Sequence, residues 1–229
     1  MSSSDAGLIL QHGPSGPPGV LGDWLRDRGL SFAVHRTWEE PLPADPAAFA
    51  FVASLGSQHS PAGGGPEWVA REVAFLRRAV DAGTPVLGLC FGGQALAAAL
   101  GAGVRRAARG EVGWLSVASD DEEAVPPGPW LQFHWDVFAV PGGATEVARS
   151  AAGPAAFVAG PHLGVQFHPE ATPEIVDEWA QVERGRLAEL GTTPEALLAE
   201  GRAAHPRSIV QARRLFDGWW ARRPRRRVS

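Results

Sequence analysis

Residues 86–101 read VLGLCFGGQALAAALG, and almost no connecting chain separates the apolar run from the alanine-rich stretch. The apolar segment stops at Cys90, glycines follow at 92 and 93, and strong helix formers begin at once. Such an order describes a strand entering a helix through one sharp turn. The turn residue then projects at the carboxyl edge of a sheet, where open α/β folds bind ligands. Backbone N–H groups at the start of the helix favour a thiolate and a developing oxyanion. Gly88, Gly92 and Gly93 supply the small residues a tight turn needs, as in a nucleophile elbow with sulfur replacing oxygen. On these residues alone a second reading stands beside it: the only cysteine of the chain is a buried small hydrophobe.

The flanking chain repeats the strand-then-helix pattern. GLILQHG (7–13), SFAVHR (31–36) and AFAFVASLG (48–56) read as strands. PGVLGDWLRDRGL (18–30) predicts a helix ending near Gly29, and EWVAREVAFLRRAVDAG (67–83) carries an apolar stripe at 68, 69, 73, 75, 76 and 80 closed by Gly83. Alternation of this kind implies a parallel sheet covered on both faces. From about 104 to 167 shorter strand-like pieces, GWLSVAS, DVFAVP and AAFVAG, suggest an antiparallel or mixed extension. TPEIVDEW and TPEALLAE then each place Thr before Pro and Glu, a helix start with a capping hydroxyl.

With 229 residues, 45% of them hydrophobic and 20% charged, the chain reads as one soluble domain with a small appendage. A net charge of −4 gives no reason to expect a nucleic-acid partner. No apolar run approaches the roughly 20 residues of a membrane span, and the first residues lack the basic and apolar regions of a signal peptide. One cysteine forms no internal disulfide, so the cytoplasm is the expected compartment. The basic residues are all arginine, which reflects coding bias and carries no function. SPAGGGP (60–66) lacks the Gly-Lys-Ser/Thr of a phosphate loop and reads as a flexible lip. His12, His35, His59, His162 and His205 show no metal-ligand spacing, so neither a metal nor a cofactor is expected.

A second motif, GVQFHPE (164–170), gives Cys90 partners. Pro169 pushes His168 toward extended backbone, and in extended chain His168 and Glu170 face one side together. A thiol needs a base, and the base needs a group that fixes its tautomer and balances its charge. Cys90, His168 and Glu170 cover those roles.

PVLGLCFGGQALAAALG and GVQFHPE resemble the two signature segments of class I glutamine amidotransferases, and the resemblance extends over about 7–180. It implies a flavodoxin-like three-layer α/β fold with a mixed central sheet: an amidotransferase-like domain over 1–185, a helical C-terminal extension over 186–221 and a basic tail over 222–229. It also implies that Cys90 attacks a γ-carboxamide, that His168 is base then acid, and that Glu170 orients it. The oxyanion would be held by the N–H groups of Phe91 and Gly56. Gln94 would line the substrate pocket, and FHWD (133–136), with His134, Trp135 and Asp136, would receive the amino-acid end. EVGW (111–114) and FHWDVF are most similar to stand-alone members related to the amidotransferase part of guanosine monophosphate synthetase, a group that includes γ-glutamyl peptidases.

Two positions depart from the family pattern. The oxyanion loop, commonly Gly-Gly-Pro, reads Leu55-Gly56-Ser57, and Trp135 replaces a small residue. No synthetase domain follows, so an ammonia acceptor is expected on a separate polypeptide. The expected activity is hydrolysis of glutamine through a γ-glutamyl thioester, supplying ammonia to a partner synthase. A stand-alone γ-glutamyl peptidase acting on a small metabolite is the alternative. A cysteine-dependent α/β-hydrolase fits less well, because its acid normally precedes the histidine. A catalytically silent binding or regulatory module is the non-enzymatic reading.

Overall fold

The computed structural model describes residues 6–223; most of the basic tail therefore lies outside the described residues. The elements run β1 (Gly7–Gln11), α1 (Gly19–Asp27), β2 (Phe32–Arg36), β3 (Val52–Ser54), α2 (Glu67–Asp81), β4 (Val86–Leu89), α3 (Phe91–Ala99), β5 (Val104–Ser119), β6 (Gly128–Phe138), β7 (Thr145–Ser150), β8 (Gly153–Ala159), β9 (His162–Val165), α4 (Pro173–Val182), α5 (Arg184–Glu189) and α6 (Pro194–Ala221). The strands form one mixed nine-stranded sheet in the order β2-β1-β3-β4-β9-β8-β7-β5-β6. The first five are parallel and the rest antiparallel.

Residue alternation along the parallel strands explains the three layers. Ile9, Ala53 and Leu87 face α1 and the end of α6, where Trp24, Phe216 and Trp219 are buried. Leu8, Val52 and Val86 face α2 and α3, meeting Phe75, Leu76 and Leu96. The strands are therefore apolar on both faces, as parallel strands covered by helices must be. Gly29 and Gly83 follow α1 and α2 with φ of 64° and 72°, the left-handed conformation that ends a helix cheaply only at glycine. Thr172 and Thr193 cap α4 and α6, accepting from the N–H groups of Ile175 and Ala196, with proline next in each case.

The region 104–138 differs from the expected short pieces. β5 is a single 16-residue strand paired antiparallel with β6, and its register shifts between Arg106 and Glu111. Gly110 sits in the irregular stretch of the strand, and Gly113 lies just past it, paired with Gln132. A Cβ on Gly110 would lie 2.5 Å from Trp135 Cδ1, and Gly113 has φ of 111°. Glycine inside a strand often marks a bulge or a close approach, and here it does.

β9 opens with His162, whose Nδ1 accepts the Val86 N–H at 3.2 Å. Burial pushes this imidazole down from 6.5 to about 4, so the folded protein keeps it neutral. Between those pH values the unfolded chain binds the extra proton, and stability falls as pH falls. At about 1.36 kcal/mol per pKa unit, urea unfolding should show a loss of about 2–3 kcal/mol between pH 7 and pH 4 from this group. His162→Asn, which keeps an acceptor without a titrating ring, should flatten that part of the pH profile.

Candidate active site

The four parallel strands β1, β3, β4 and β9 end side by side, and each hands its chain to one corner of the same cavity. His12 follows β1, Gly56 follows β3, Cys90 follows β4, and His168 lies three residues beyond β9. The order β2-β1-β3 places the topological switch point between β1 and β3, the position where open α/β sheets bind ligands.

Cys90 has φ of 52° and ψ of −105°, and among the described residues it is the only non-glycine with positive φ. Such a backbone costs on the order of 1–3 kcal/mol and persists only when the surroundings impose it. Here they do. The Cys90 N–H donates to Val165 O at 2.9 Å, and Cys90 O accepts from Gln94 N at 3.0 Å. A Cβ on Gly88 would come within 2.4 Å of Gly92 O, one on Gly92 within 1.9 Å of Ser54 O, and one on Gly93 within 2.4 Å of Val165 O. The glycines around the cysteine are thus dictated by backbone-to-backbone contact.

His168 and Glu170 lie together, but in a turn beyond β9 rather than on the extended chain expected of them. His168 Nδ1 is 2.7 Å from Glu170 Oε1, with both side chains buried. His168 N–H donates to Leu131 O at 2.9 Å, and its ring packs on Trp179 with centroids 4.6 Å apart. Burial works against a charged ring, but the facing Cys90 sulfur and Glu170 carboxylate outweigh it and hold His168 up at about 10. With Nδ1 taken by Glu170, Nε2 is the nitrogen left for the hydrogen bond to Cys90.

Gly56 sits against the histidine: a Cβ there would lie 2.8 Å from His168 Cε1. Its φ is ordinary, so glycine is needed for the approach of the imidazole rather than for conformation. Neither the Gly56 N–H nor the Phe91 N–H is spent on a protein acceptor among the described residues. Gln94 lines the cavity, and its Nε2 donates to Asp136 O at 3.0 Å and Gln166 Oε1 at 3.3 Å. His134 also lines it, but both ring nitrogens are engaged. Nδ1 donates to Asp136 O, while Nε2 faces Gln132 Oε1 at 3.0 Å and Glu111 Oε2 at 3.2 Å. Burial raises Glu111, yet bonds from His134 and Ser150 outweigh it and keep the carboxyl below its usual range. His134 is thereby built into the β5–β6 framework. Trp135 packs edge-on to Phe133, and the Arg186 guanidinium lies 4.9 Å from its ring centroid.

Sequence reasoning did not single out Gln166, whose Nε2 lies 3.7 Å from Cys90 Sγ, nor the pair of His12 and Glu72. Glu72 had a readable signal. It falls in the apolar stripe of α2, four residues after Trp68 and four before Leu76, where a carboxylate must be buried with a partner. Among the described residues no group of three His, Cys, Asp or Glu side chains is arranged to hold a metal, and no helix is long and apolar enough to cross a membrane.

A strained cysteine elbow beside a buried His–Glu pair, on a sheet of this order, defines a class of protein that comparison with known proteins bears out. Residues 60–178 match the family described as glutamine amidotransferase class-I, and the chain belongs to that family. It is 33% identical over 120 residues to a GMP synthase (glutamine-hydrolyzing) of Vibrio vulnificus strain YJ016, covering 48% of this chain and 23% of that protein. Against the GMP synthase of Thermomicrobium roseum it is 37% identical over 112 residues, 46% of this chain and 19% of that one. The match therefore spans less than a quarter of those relatives' length. Among solved structures, a glutamine amidotransferase from Methylobacillus flagellatus superposes with a TM-score of 0.88 at 26% identity, covering 97% of this chain and 96% of that one. A glutamine amidotransferase from Thermotoga maritima superposes with a TM-score of 0.82 at 26% identity, covering 93% and 97%.

Proposed function

We propose that the chain hydrolyses the γ-amide of glutamine, with Cys90 as nucleophile, His168 as proton carrier and Glu170 as its orienting partner. The observation that carries this reading is the strained Cys90 backbone set beside a histidine held charged by Cys90 and Glu170. A cysteine used only for packing gains nothing from such a backbone. The raised His168 provides an imidazolium beside the sulfur, ready to give up its proton. Cys90 Sγ forms a bond to the γ-carbonyl carbon, and the oxygen, as it becomes an oxyanion, is held by the Gly56 and Phe91 N–H groups. The C–N bond then breaks as His168 gives its proton to the leaving ammonia. Water, deprotonated by His168, attacks the γ-glutamyl thioester, and glutamate leaves as the thiolate returns. Ammonia would pass to a partner synthase, a reading supported by relatives that carry the amidotransferase unit within a GMP synthase.

The cavity favours the peptidase alternative as a second reading. At about 560 Å³ it falls in the range of sites for ligands much larger than glutamine, about 300–1,000 Å³, and Trp38, Trp135 and Trp179 line it. Glutamate release by the purified chain, measured with L-glutamine and with γ-glutamyl peptides, separates the two. Fast cleavage of a γ-glutamyl peptide with negligible glutamine turnover would replace the first reading by the second.

The same assay checks the roles of His168 and Glu170. The imidazolium supplies the leaving-group proton, so kcat/KM should hold through neutral pH and fall on the alkaline side as pH approaches about 10. Glu170→Gln removes one of the two charges holding the ring protonated, so that fall should move to lower pH. It should cost less rate than His168→Ala, for which about 10²–10⁴-fold is expected. An alkaline limb that stays in place would remove Glu170 from its assigned role.

A further inference from the structure

Behind the oxyanion loop lies a second buried histidine–glutamate pair that the proposed chemistry does not use. His12 Nε2 is 2.8 Å from Glu72 Oε2, and both side chains are fully buried. The other Glu72 oxygen accepts from Ser54 Oγ at 2.6 Å, and the other ring nitrogen, His12 Nδ1, donates to Gly56 O at 3.0 Å. The ring is held flat against Trp68, with centroids 5.2 Å apart, and edge-on to Phe91 at 4.8 Å. Both ring nitrogens thus face acceptors: one proton goes to Gly56 O, and a second is shared with Glu72.

We infer that His12, set by Glu72, is a positioning residue that locks the oxyanion loop. The inference rests on the reading of Gly56 as an oxyanion donor. Two bonds pin the chain on either side of Gly56. The Gly92 N–H holds Leu55 O at 3.1 Å, which fixes the plane of the Leu55–Gly56 peptide and hence the direction of the Gly56 N–H. His12 holds Gly56 O, which fixes the next peptide. This loop carries a single glycine at Leu55-Gly56-Ser57, and its side-chain anchor comes from β1, the neighbouring strand at the switch point. A buried carboxylate is costly unless paired and hydrogen-bonded, and Glu72 meets that cost by orienting a ring whose far side ends on the loop. Ser54, the last residue of β3, closes the circuit two residues before Gly56.

The test separates loop positioning from general damage to the site. His12→Phe keeps an aromatic ring between Trp68 and Phe91 but removes both bonds. Losing an oxyanion donor outright costs about 10²–10³-fold in kcat, so loosening one should cost about 10- to 100-fold. KM for L-glutamine, or for γ-glutamyl-p-nitroanilide if that is the substrate the wild type turns over, should hardly change. Alkylation of Cys90 by iodoacetamide forms no oxyanion, so its rate should match wild type. His12→Asn, whose amide N–H can replace Nδ1–H toward Gly56 O, should recover most of the loss. Glu72→Gln, which keeps the hydrogen-bonding shape without the charge, should show the same split between turnover and alkylation at smaller size. It serves as the test if His12→Phe fails to fold. Unchanged kcat, or a parallel fall in kcat and alkylation rate, would overturn the inference. A wild-type chain that releases no glutamate from either substrate would instead sink the functional reading on which it rests.

Discussion

Cys90→Ala is expected to abolish glutamate release, with kcat falling on the order of 10⁶-fold, the scale seen when the nucleophile is removed from a triad that works as a unit. The size follows from the arrangement. His168 is buried, its Nδ1 is committed to Glu170, and its charge is balanced by Cys90 and Glu170 together. Without the sulfur the histidine has no bond-forming partner, and only the oxyanion donors remain to polarise the amide. Folding should be little affected, because alanine keeps the same backbone and loses only a small side chain, 5% exposed, that belongs to none of the hydrophobic clusters. Two readouts decide the matter: steady-state glutamate release, and intact mass after treatment with a diazo-ketone analogue of glutamine. Wild type should gain one covalent equivalent and Cys90→Ala none. Labelling that survives in the variant would transfer the nucleophile elsewhere, and a wild type that neither labels nor turns over would leave the silent-module reading standing.

The legible parts of this molecule were those whose cause is local. The elbow at 86–101 could be read because a strand, a turn and a helix within a few residues leave only small side chains compatible with the geometry. The helices at α1, α2, α4 and α6 declared themselves through apolar periodicity, glycine after the last turn, or Thr-Pro starts. His168 and Glu170 could be paired because they stand two residues apart around Pro169, although a turn beyond β9, not extended chain, brings them together. The long β5–β6 hairpin could not be read, since a glycine such as Gly110, which ends a short strand or admits a close neighbour inside a long one, is the same letter in both cases. His12 and Glu72 are 60 positions apart, and neither carries a local pattern that names the other. His134 shows a further limit. Its place at the cavity was readable, while the acceptors that occupy both its nitrogens come from Glu111, Gln132 and Asp136, a set only the folded hairpin assembles.

Gly92→Ala should be the most damaging single methyl group that can be added near the site. The new carbon would stand 1.9 Å from Ser54 O and 2.5 Å from its carbonyl carbon, well inside any real contact, and both are backbone atoms that no side-chain rotation can move aside. Relief requires α3 to withdraw from the end of β3. That movement would break the Gly92 N–H bond to Leu55 O and drag Phe91 and Cys90 with it. Overpacking typically costs about 1–3 kcal/mol, and a backbone clash with no flexible partner belongs at or above the upper end. For a chain of this size, about 3 kcal/mol corresponds to a Tm lower by roughly 6–12 °C. Turnover should fall further than stability, because Cys90, the Phe91 N–H and the Leu55–Gly56 peptide shift together while the protein is still folded. Gly185→Ala provides the contrast: nothing lies within 4 Å of its added carbon, it sits in α5 with an ordinary φ, and its Tm should be unchanged or slightly raised. A Gly92→Ala protein with wild-type Tm and wild-type kcat would show that α3 is free to move where the elbow requires it to be fixed, and the account of Cys90 as an imposed, strained nucleophile would fall with it.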